Sequence, residues 1–452
     1  MQIQKALVLG MARSGAAAAR LLLARGCEVT ICDVKPREQF AGALDDLDVP
    51  GVRWHLGEQD PLPLLEGMDA LIVSPGIPDT HPAVVRAREL GVEVMGELEY
   101  AYRESTGTLL AVTGTNGKTT TSTLLGEIFK NAGRRTWVVG NIGAPYAQAV
   151  LKMRAGDVTV CEVSSFQLET VSQFHPAVAA VLNVTEDHLN RHGTMENYIA
   201  LKERVFANCR EGDFVVLNYD NAITRAMAQH TRAKVVWFSR SGEAPSGALA
   251  RDGKVVFVDE GGERAVCDAS EIYIPGPHNL ENALAATAMA LSAGVPAPVV
   301  RHTLRAFQGV EHRLEFVREL DGVKYYNDSI ASSPTRTIAG LQSFQQKVIL
   351  IAGGYDKHIP YDVLGEPICT HVKSLILTGA TAPKIRDCVR AVEGGHPPII
   401  EVENLETAVR EAHAQAQAGD VVIMSPASAS FDRFKNFMER GKLFKTLVNN
   451  LE

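Results

Sequence analysis

Residues 111–120 read Ala-Val-Thr-Gly-Thr-Asn-Gly-Lys-Thr-Thr, small and hydroxyl-bearing residues gathered around one lysine. Gly114 and Gly117 let the main chain approach an anion, with Thr115 and Asn116 supplying amides between them. Lys118 is placed to reach the outer phosphates of a nucleotide, and the Thr119 hydroxyl directly after it to ligate magnesium. Thr120 and Thr121 extend the hydroxyl run into the next turn. The apolar segment 108–112 predicts a strand and the amphipathic segment 119–129 a helix, so that loop amides and a helix N-terminus converge on one anion. The loop Gly-x-x-Gly-Lys-Thr is shorter than the usual phosphate loop, which would begin with glycine where this chain has Val112. ATP binding is the first expectation.

Five other places gather groups that could do chemistry. Cys161-Glu-Val-Ser-Ser-Phe-Gln-Leu-Glu sets Glu162 at the end of a predicted strand, where a carboxylate can hold magnesium directly or through water, or pair with a helix N-terminus. Asn183-Val-Thr-Glu-Asp-His-Leu-Asn-Arg-His masses Asp187, His188 and His192 after another strand, with His188 the stronger metal candidate. Lys202 lies on a helix expected around 197–208, and spacing alone reads it as a solvated lysine. In the last third, Gly353-Gly-Tyr-Asp-Lys brings Lys357 to a glycine turn, and residues 425–437 offer hydroxyls and free amides at a strand-to-helix junction.

These groups need strands and turns to position them, and the chain supplies three sets. At 452 residues it is too long for one core and suggests roughly three domains. Residues 3–10, the turn 11–15, a helix 16–25 and a strand 28–32 ending at Asp33 form an opening βαβ of Rossmann type. Its fingerprint is broken, because Gly10 and Gly15 stand at the outer positions but Ala12 at the middle one, which disfavours a dinucleotide and allows another diphosphate. A polar stretch at 99–106 marks the boundary. Strands are expected at 158–163, 178–184, 214–218 and 234–238, then a small β insertion within 239–275 and a helix over 279–294. A third series has strands at 323–327, 348–352, 374–378 and 421–425.

Composition excludes several roles. The net charge of −8, from 45 basic and 53 acidic residues, argues against a general nucleic-acid or membrane-surface function. Seven scattered cysteines without Cys-x-x-Cys suggest neither a disulfide framework nor a zinc site. No signal peptide or membrane-length apolar stretch is evident, so a cytoplasmic protein is expected.

Ser164-Ser-Phe-Gln-Leu-Glu, Asn183-Val-Thr-Glu-Asp-His, Pro277-His-Asn-Leu-Glu-Asn, His312-Arg313, Asn327-Asp-Ser and the run at 425–437 follow the phosphate loop in an order that resembles the Mur ligase family over the whole chain. The likeness is strongest to the branch that adds D-glutamate. It implies an α/β fold of three domains: a Rossmann-like UDP-substrate domain (1–98), a doubly wound central P-loop ATPase domain (99–310) and a Rossmann-like amino-acid domain (311–452). It also implies amide synthesis in cytoplasmic peptidoglycan precursor assembly, in which ATP phosphorylates the carboxylate of UDP-N-acetylmuramoyl-L-alanine and D-glutamate attacks the acyl phosphate. Domain closure and a monomer without nucleic-acid or membrane partners are expected with it.

By that resemblance Lys118, His188 and Lys202 are catalytic, and ATP meets residues 114–121 together with Asn279, Asn282, Arg313 and Asp328. Arg13, Ser14, Asp33 and Lys35 face the uridine diphosphate, while Asn141 and His188 lie on the acceptor side. Ser332, Lys357, Ser430 and Phe431 receive D-glutamate. Thr119, Glu162, His188 and Lys202, the last as a carbamate, hold two magnesium ions. One departure stands out: many relatives have Asn-Asp-Ser-Lys-Ala-Thr where this chain has Asn327-Asp-Ser-Ile-Ala-Ser, so Ile330 replaces a lysine near the phosphates and Arg336 is the expected substitute. Two competing readings are a sister ATP-dependent ligase, such as another Mur ligase or a folylpolyglutamate synthetase, and an ATP-driven binding switch. The N-terminal Rossmann-like domain and the Ser-Phe-Asp-Arg-Phe-Lys-Asn-Phe run oppose the first.

Overall fold

The computed structural model describes residues 3–40, 42–57, 60–357 and 359–452. They divide into two compact units, Met1–Tyr273 with His278–Phe307, and Ile274–Pro277 with Gln308–Glu452. Short apolar runs bounded by glycine and polar turns become parallel strands covered on both faces; Ala70–Val73 and Val348–Ala352 are buried at every position.

The first unit holds two sheets. Strands β1 (Lys5–Leu9), β2 (Glu28–Asp33), β3 (Val52–Leu56), β4 (Ala70–Val73) and β5 (Glu93–Gly96) pair in parallel in the order β3-β2-β1-β4-β5, the Rossmann arrangement. The second sheet contains β6 (Thr108–Thr113), β7 (Thr136–Gly140), β8 (Val158–Glu162), β9 (Val178–Val181), β10 (Phe214–Asn218) and β11 (Lys234–Ser239), joined by β12 (Gly247–Arg251), β13 (Lys254–Asp259) and β14 (Gly262–Asp268). Its order is β14-β13-β12-β11-β10-β9-β6-β8-β7. The β insertion expected at 239–275 thus extends the central sheet, with β12, β13 and β14 paired antiparallel at one end. The phosphate-loop strand β6 lies inside the sheet between β8 and β9.

One apolar cluster joins these sheets. It runs from Ala18 and Leu22 of the helix Arg13–Ala24 through Tyr100 and Tyr146 to Cys161 and Phe174. The helix Glu97–Glu104, which follows β5, carries a buried carboxylate into this junction. Glu99 is fully buried and accepts from the amides of Ser172 (3.0 Å), Gln173 (2.9 Å) and Phe174 (3.1 Å) and from Arg103 Nε (2.8 Å).

The second unit is a single sheet of β15 (Glu315–Leu320), β16 (Val323–Asn327), β17 (Val348–Ala352), β18 (Val372–Leu377), β19 (Ile399–Glu401) and β20 (Val421–Met424), in the order β15-β16-β20-β17-β18-β19. All neighbours are parallel except β15 and β16. Leu341, Ile368 and Ile385 pack one face and Val409, Phe444 and Val448 the other, so the sheet is doubly wound.

Because three main-chain amides depend on one carboxylate, Glu99→Ala should lower the unfolding free energy of the first unit by at least about 3 kcal/mol. Urea denaturation followed by tryptophan fluorescence measures this, and a change below about 1 kcal/mol would show the junction to be held by apolar packing alone.

Candidate active site

The phosphate loop ends where its helix begins. Gly117 precedes the helix Lys118–Asn131 at φ +85 and provides no side-chain cap, whereas the helix Met195–Glu203 is capped by Thr194. The helix Lys118–Asn131 therefore begins without a side-chain cap, and its N-terminus favours an anion. A Cβ at Gly117 would fall 2.3 Å from Asn282 Oδ1, so glycine is required by contact as well as by conformation. Asn282 also accepts from Thr121 Oγ1 at 3.3 Å and donates to Asn279 Oδ1 at 3.2 Å, which joins the helix Pro277–Ser292 to the loop. Thr119 is half-buried beside buried Thr120 and Thr121. Lys118 Nζ folds back to donate to the carbonyls of Gly114 and Thr115, each at 2.9 Å.

The segment after β9 grips the same loop. Asn183 accepts from the Asn116 amide at 2.8 Å, its carbonyl accepts from the Thr115 amide at 2.9 Å, and Thr115 Oγ1 donates to the Thr185 carbonyl at 3.2 Å. Further along, His188 adopts a left-handed backbone with φ +52, uncommon for a residue with a side chain. Its ring is half-exposed, 3.5 Å from Asp187 and 5.0 Å from the Phe166 ring.

Lys202 corrects the expectation of a solvated side chain. It is 1% exposed, with Nζ 4.5 Å from the centre of the Tyr198 ring. Burial, assisted by the positive charge of Lys118 and opposed by Asp187, pushes its amine down to about 7. Tyr198 was missed by sequence reasoning, although its position four residues earlier on one helix placed it on the same face.

Glu162 ends β8 beside β6, and Asn141 Nδ2 donates to its Oε1 at 2.7 Å. Its Oε2 is buried and lacks a hydrogen-bond partner among the described residues. In the N-terminal sheet, Asp33 accepts from the amides of Met11 (2.6 Å) and Lys35 (2.9 Å), closing the turn that presents Ser14 and exposed Arg13. The Arg13 guanidinium donates to the Gly143 carbonyl, so this turn reaches the Asn141 segment. Pro78, Thr80, Arg191, His192 and Arg204 border a cleft of about 370 Å³ between the two sheets of this unit.

In the second unit Asp328 is fully buried, accepts from Ser425 Oγ at 2.7 Å and from the Leu314 amide at 3.2 Å, and is pushed up to about 6 by burial. Arg313 lies between His312 and Leu314, both left-handed at φ +67 and +44. The loops after β17 and β20 meet where Tyr355 donates its amide to the Ala429 carbonyl at 2.9 Å. That pairing gathers exposed Lys357, buried Ser430 and exposed Phe431, while half-buried Ser332 lies on the loop after β16. Arg440 was also missed by sequence reasoning. It is 4% exposed and donates to the carbonyls of Ser329 (2.9 Å), Ser428 (3.1 Å) and Ala429 (3.0 Å).

Comparison with known families matches residues 4–96 to the Mur ligase MurD-like N-terminal domain, 112–290 to the Mur ligase middle domain and 312–428 to the Mur ligase glutamate ligase domain. The chain is 43% identical over 448 residues to the UDP-N-acetylmuramoylalanine–D-glutamate ligase of Thermoanaerobacter pseudethanolicus, covering 99% of this chain and 98% of the relative. The chain belongs to the Mur ligase family. A ligase of the same name from Acetivibrio thermocellus is 45% identical over 454 residues, covering 99% of this chain and 97% of the relative. The fold matches the Mur ligase UDP-N-acetylmuramate-alanine ligase from Thermotoga maritima with a TM-score of 0.58 at 19% identity and 99% coverage of both chains. A pseudomurein peptide ligase from Methanothermus fervidus gives 0.56 at 18% identity, covering 99% of this chain and all of the other.

Magnesium fits this Mur ligase site. No group of three or more His, Cys, Asp or Glu side chains with metal-binding geometry occurs among the described residues. The partnerless Glu162 oxygen and the Thr119 hydroxyl are oxygen donors of the sort magnesium takes beside phosphates, where substrate and water complete the shell.

The depressed Lys202 amine makes stability depend on pH. Between about 7 and 10.5 the unfolded chain holds a proton that the native amine has lost, so this contribution rises with pH across that window. In buffer free of carbon dioxide, Lys202→Met should be more stable than the wild type by a few kcal/mol near pH 7, with the difference shrinking toward pH 10. A difference that is flat across this range in denaturant titrations would mean the amine is not desolvated.

Proposed function

We propose that this Mur ligase joins D-glutamate to the alanyl carboxylate of UDP-N-acetylmuramoyl-L-alanine at the expense of ATP, a step of peptidoglycan precursor synthesis. The observation that carries this reading is the likeness to D-glutamate ligases along the full chain, 43% identical over 99% of its length. The phosphate loop, the buried Lys202 and the orphaned Glu162 oxygen give that likeness a chemical basis.

A carboxylate is a poor electrophile because its charge repels an attacking amine. ATP removes this obstacle by transferring its terminal phosphoryl group to one carboxylate oxygen, which makes that oxygen a leaving group. The amine of D-glutamate then adds to the carbonyl carbon, loses a proton and expels phosphate. Lys118 would exchange its carbonyl contacts for phosphate oxygens, and the uncapped amides of its helix would face the same charge. Asn282 braces that loop, and family likeness adds Asn279, Arg313 and Asp328 to the proposed nucleotide contacts. Magnesium held by Thr119, Glu162, His188 and Lys202 would screen the anions that must meet.

Lys202 deepens the argument. An amine at about 7 is half neutral at neutral pH, and only the neutral form can capture carbon dioxide, forming an N–C bond and losing a proton to become a carbamate. The product is an anionic oxygen ligand facing Lys118 in place of a second cation. Arg13, Ser14, Asp33, Lys35 and Asn141 belong to the acceptor side in this reading, and Lys357, Ser332, Ser430 and Phe431 to the carboxylates of D-glutamate. Cytoplasmic action belongs to the same reading.

The reaction is tested by phosphate release with ATP, magnesium and UDP-N-acetylmuramoyl-L-alanine, comparing D-glutamate, L-glutamate, L-lysine and no amino acid. Release is expected with D-glutamate alone. Release with another amino acid would assign a sister ligase activity, and release without either substrate a nucleotide switch.

The missing lysine at Ile330 has a candidate replacement. Arg336 Nη1 donates to the Ile330 carbonyl at 3.3 Å, and its charge acts on Asp328. Arg336→Ala should lower kcat by roughly ten-fold or more, the scale of losing one contact to a transferring phosphoryl group. An unchanged kcat would remove Arg336 from the phosphate side.

A further inference from the structure

Glu162 lies opposite Val112 of β6 on one side and Gly140 of β7 on the other. Asn141, the residue after Gly140, turns over the end of the strand. Its amide donates to the Glu162 carbonyl at 2.9 Å, and its side-chain Nδ2 donates to Glu162 Oε1 at 2.7 Å. Such an approach needs glycine at 140, where φ is +101 and a Cβ would fall 2.3 Å from the Glu162 carbonyl oxygen. Glu162 is 1% exposed, and its second oxygen, Oε2, is buried with no hydrogen-bond partner among the described residues. Its two oxygens are therefore unlike: one is tied to the turn and the other is bare.

We propose that Asn141 is a positioning residue that fixes the Glu162 carboxylate through Oε1, so that Oε2 is held ready for a divalent cation. This goes beyond the acceptor contact implied by family likeness, and it rests on the proposed function only in requiring Glu162 to hold the cation. A neutral amide suits the task. Lysine or arginine here would fix the carboxylate equally well but cancel the charge that attracts the cation, whereas an amide orients it and leaves the charge in place. The donor is itself anchored from two sides. The Gly143 carbonyl accepts from Arg13, and at the start of the helix Tyr146–Val150 the Ala147 amide donates to the buried Glu97 carboxylate at 2.6 Å. Asn141 is thus set by the N-terminal domain as well as by its own sheet.

Asn141 is exposed, so its replacement leaves the core intact. Wild type, Asn141→Leu, Asn141→Ala, Glu162→Gln and the double variant Asn141→Leu/Glu162→Gln would be titrated with Mn2+, with and without a non-hydrolysable ATP analogue. Water-proton relaxation reports binding, and thermal unfolding is followed in parallel. Both Asn141 variants should bind Mn2+ about 10- to 100-fold more weakly at unchanged melting temperature, the usual scale for losing an outer partner of a metal ligand. The double variant should bind no more weakly than Glu162→Gln, because Asn141 acts only through that carboxylate. Wild-type Mn2+ affinity in the Asn141 variants, with only the KM for the UDP-linked acceptor raised, would overturn the proposal. So would wild-type affinity in Glu162→Gln. The titration needs no turnover, so an absent ligase activity and a failed positioning role are separate results.

Discussion

A lysine amine buried within the field of a second lysine is a costly placement that the first unit must accommodate. Lys202 loses its water, Lys118 adds like charge, and the charge of Asp187 offsets only part of this. What makes the arrangement tolerable is the loss of the proton, together with the face of Tyr198 against the amine. Such a site has a deficit of negative charge that phosphates, a carbamate or a bound carboxylate could fill. The uncapped helix at Gly117 creates a demand of the same sign. The pocket is therefore arranged electrostatically for an anionic substrate even though the chain as a whole carries a charge of −8.

The second unit meets an analogous demand by different means. Arg440 is as deeply enclosed as a core residue, but its donors are spent on main-chain carbonyls after β16 and β20 rather than on a carboxylate. Burial draws the guanidinium down to about 10, which still leaves it charged at neutral pH. It fastens together the loops that carry Ser332 and Ser430. Asp328 shows the converse: burial pushes its carboxyl up to about 6 against hydroxyl and amide donors and the charges of Arg313 and Arg336, which pull it down.

The parts that could be read from sequence were those encoded locally. The phosphate loop announces itself because strand, glycines, lysine and hydroxyls occur within a dozen residues, and the Rossmann-like opening because buried parallel strands are written as continuous apolar runs. The burial of Lys202 could not be read this way, since it is made by Tyr198 and by the loops around Lys118, which packing brings together. The Asn141–Glu162 pair is similarly hidden until the sheet order sets β7 beside β8. Arg440 offered only an Arg-Gly pair inside a helix, a pattern without a distinct local signature. Family likeness suggests a role for Lys202 that spacing does not, and its burial gives that proposal a physical basis.

The order of strands in the second unit also bears on how the protein is made. β20 lies between β16 and β17, with Tyr325 paired to Val422 and Leu350 to Ile423. The middle of that sheet is therefore completed by a segment synthesised well after β16 and β17. Until it emerges from the ribosome, β16 and β17 expose unpaired edges to each other and to neighbouring chains. Contacts of such high sequence separation are slow to form, so assembly of this unit waits on β20, and its window of vulnerability to aggregation opens while the first unit can already be folded.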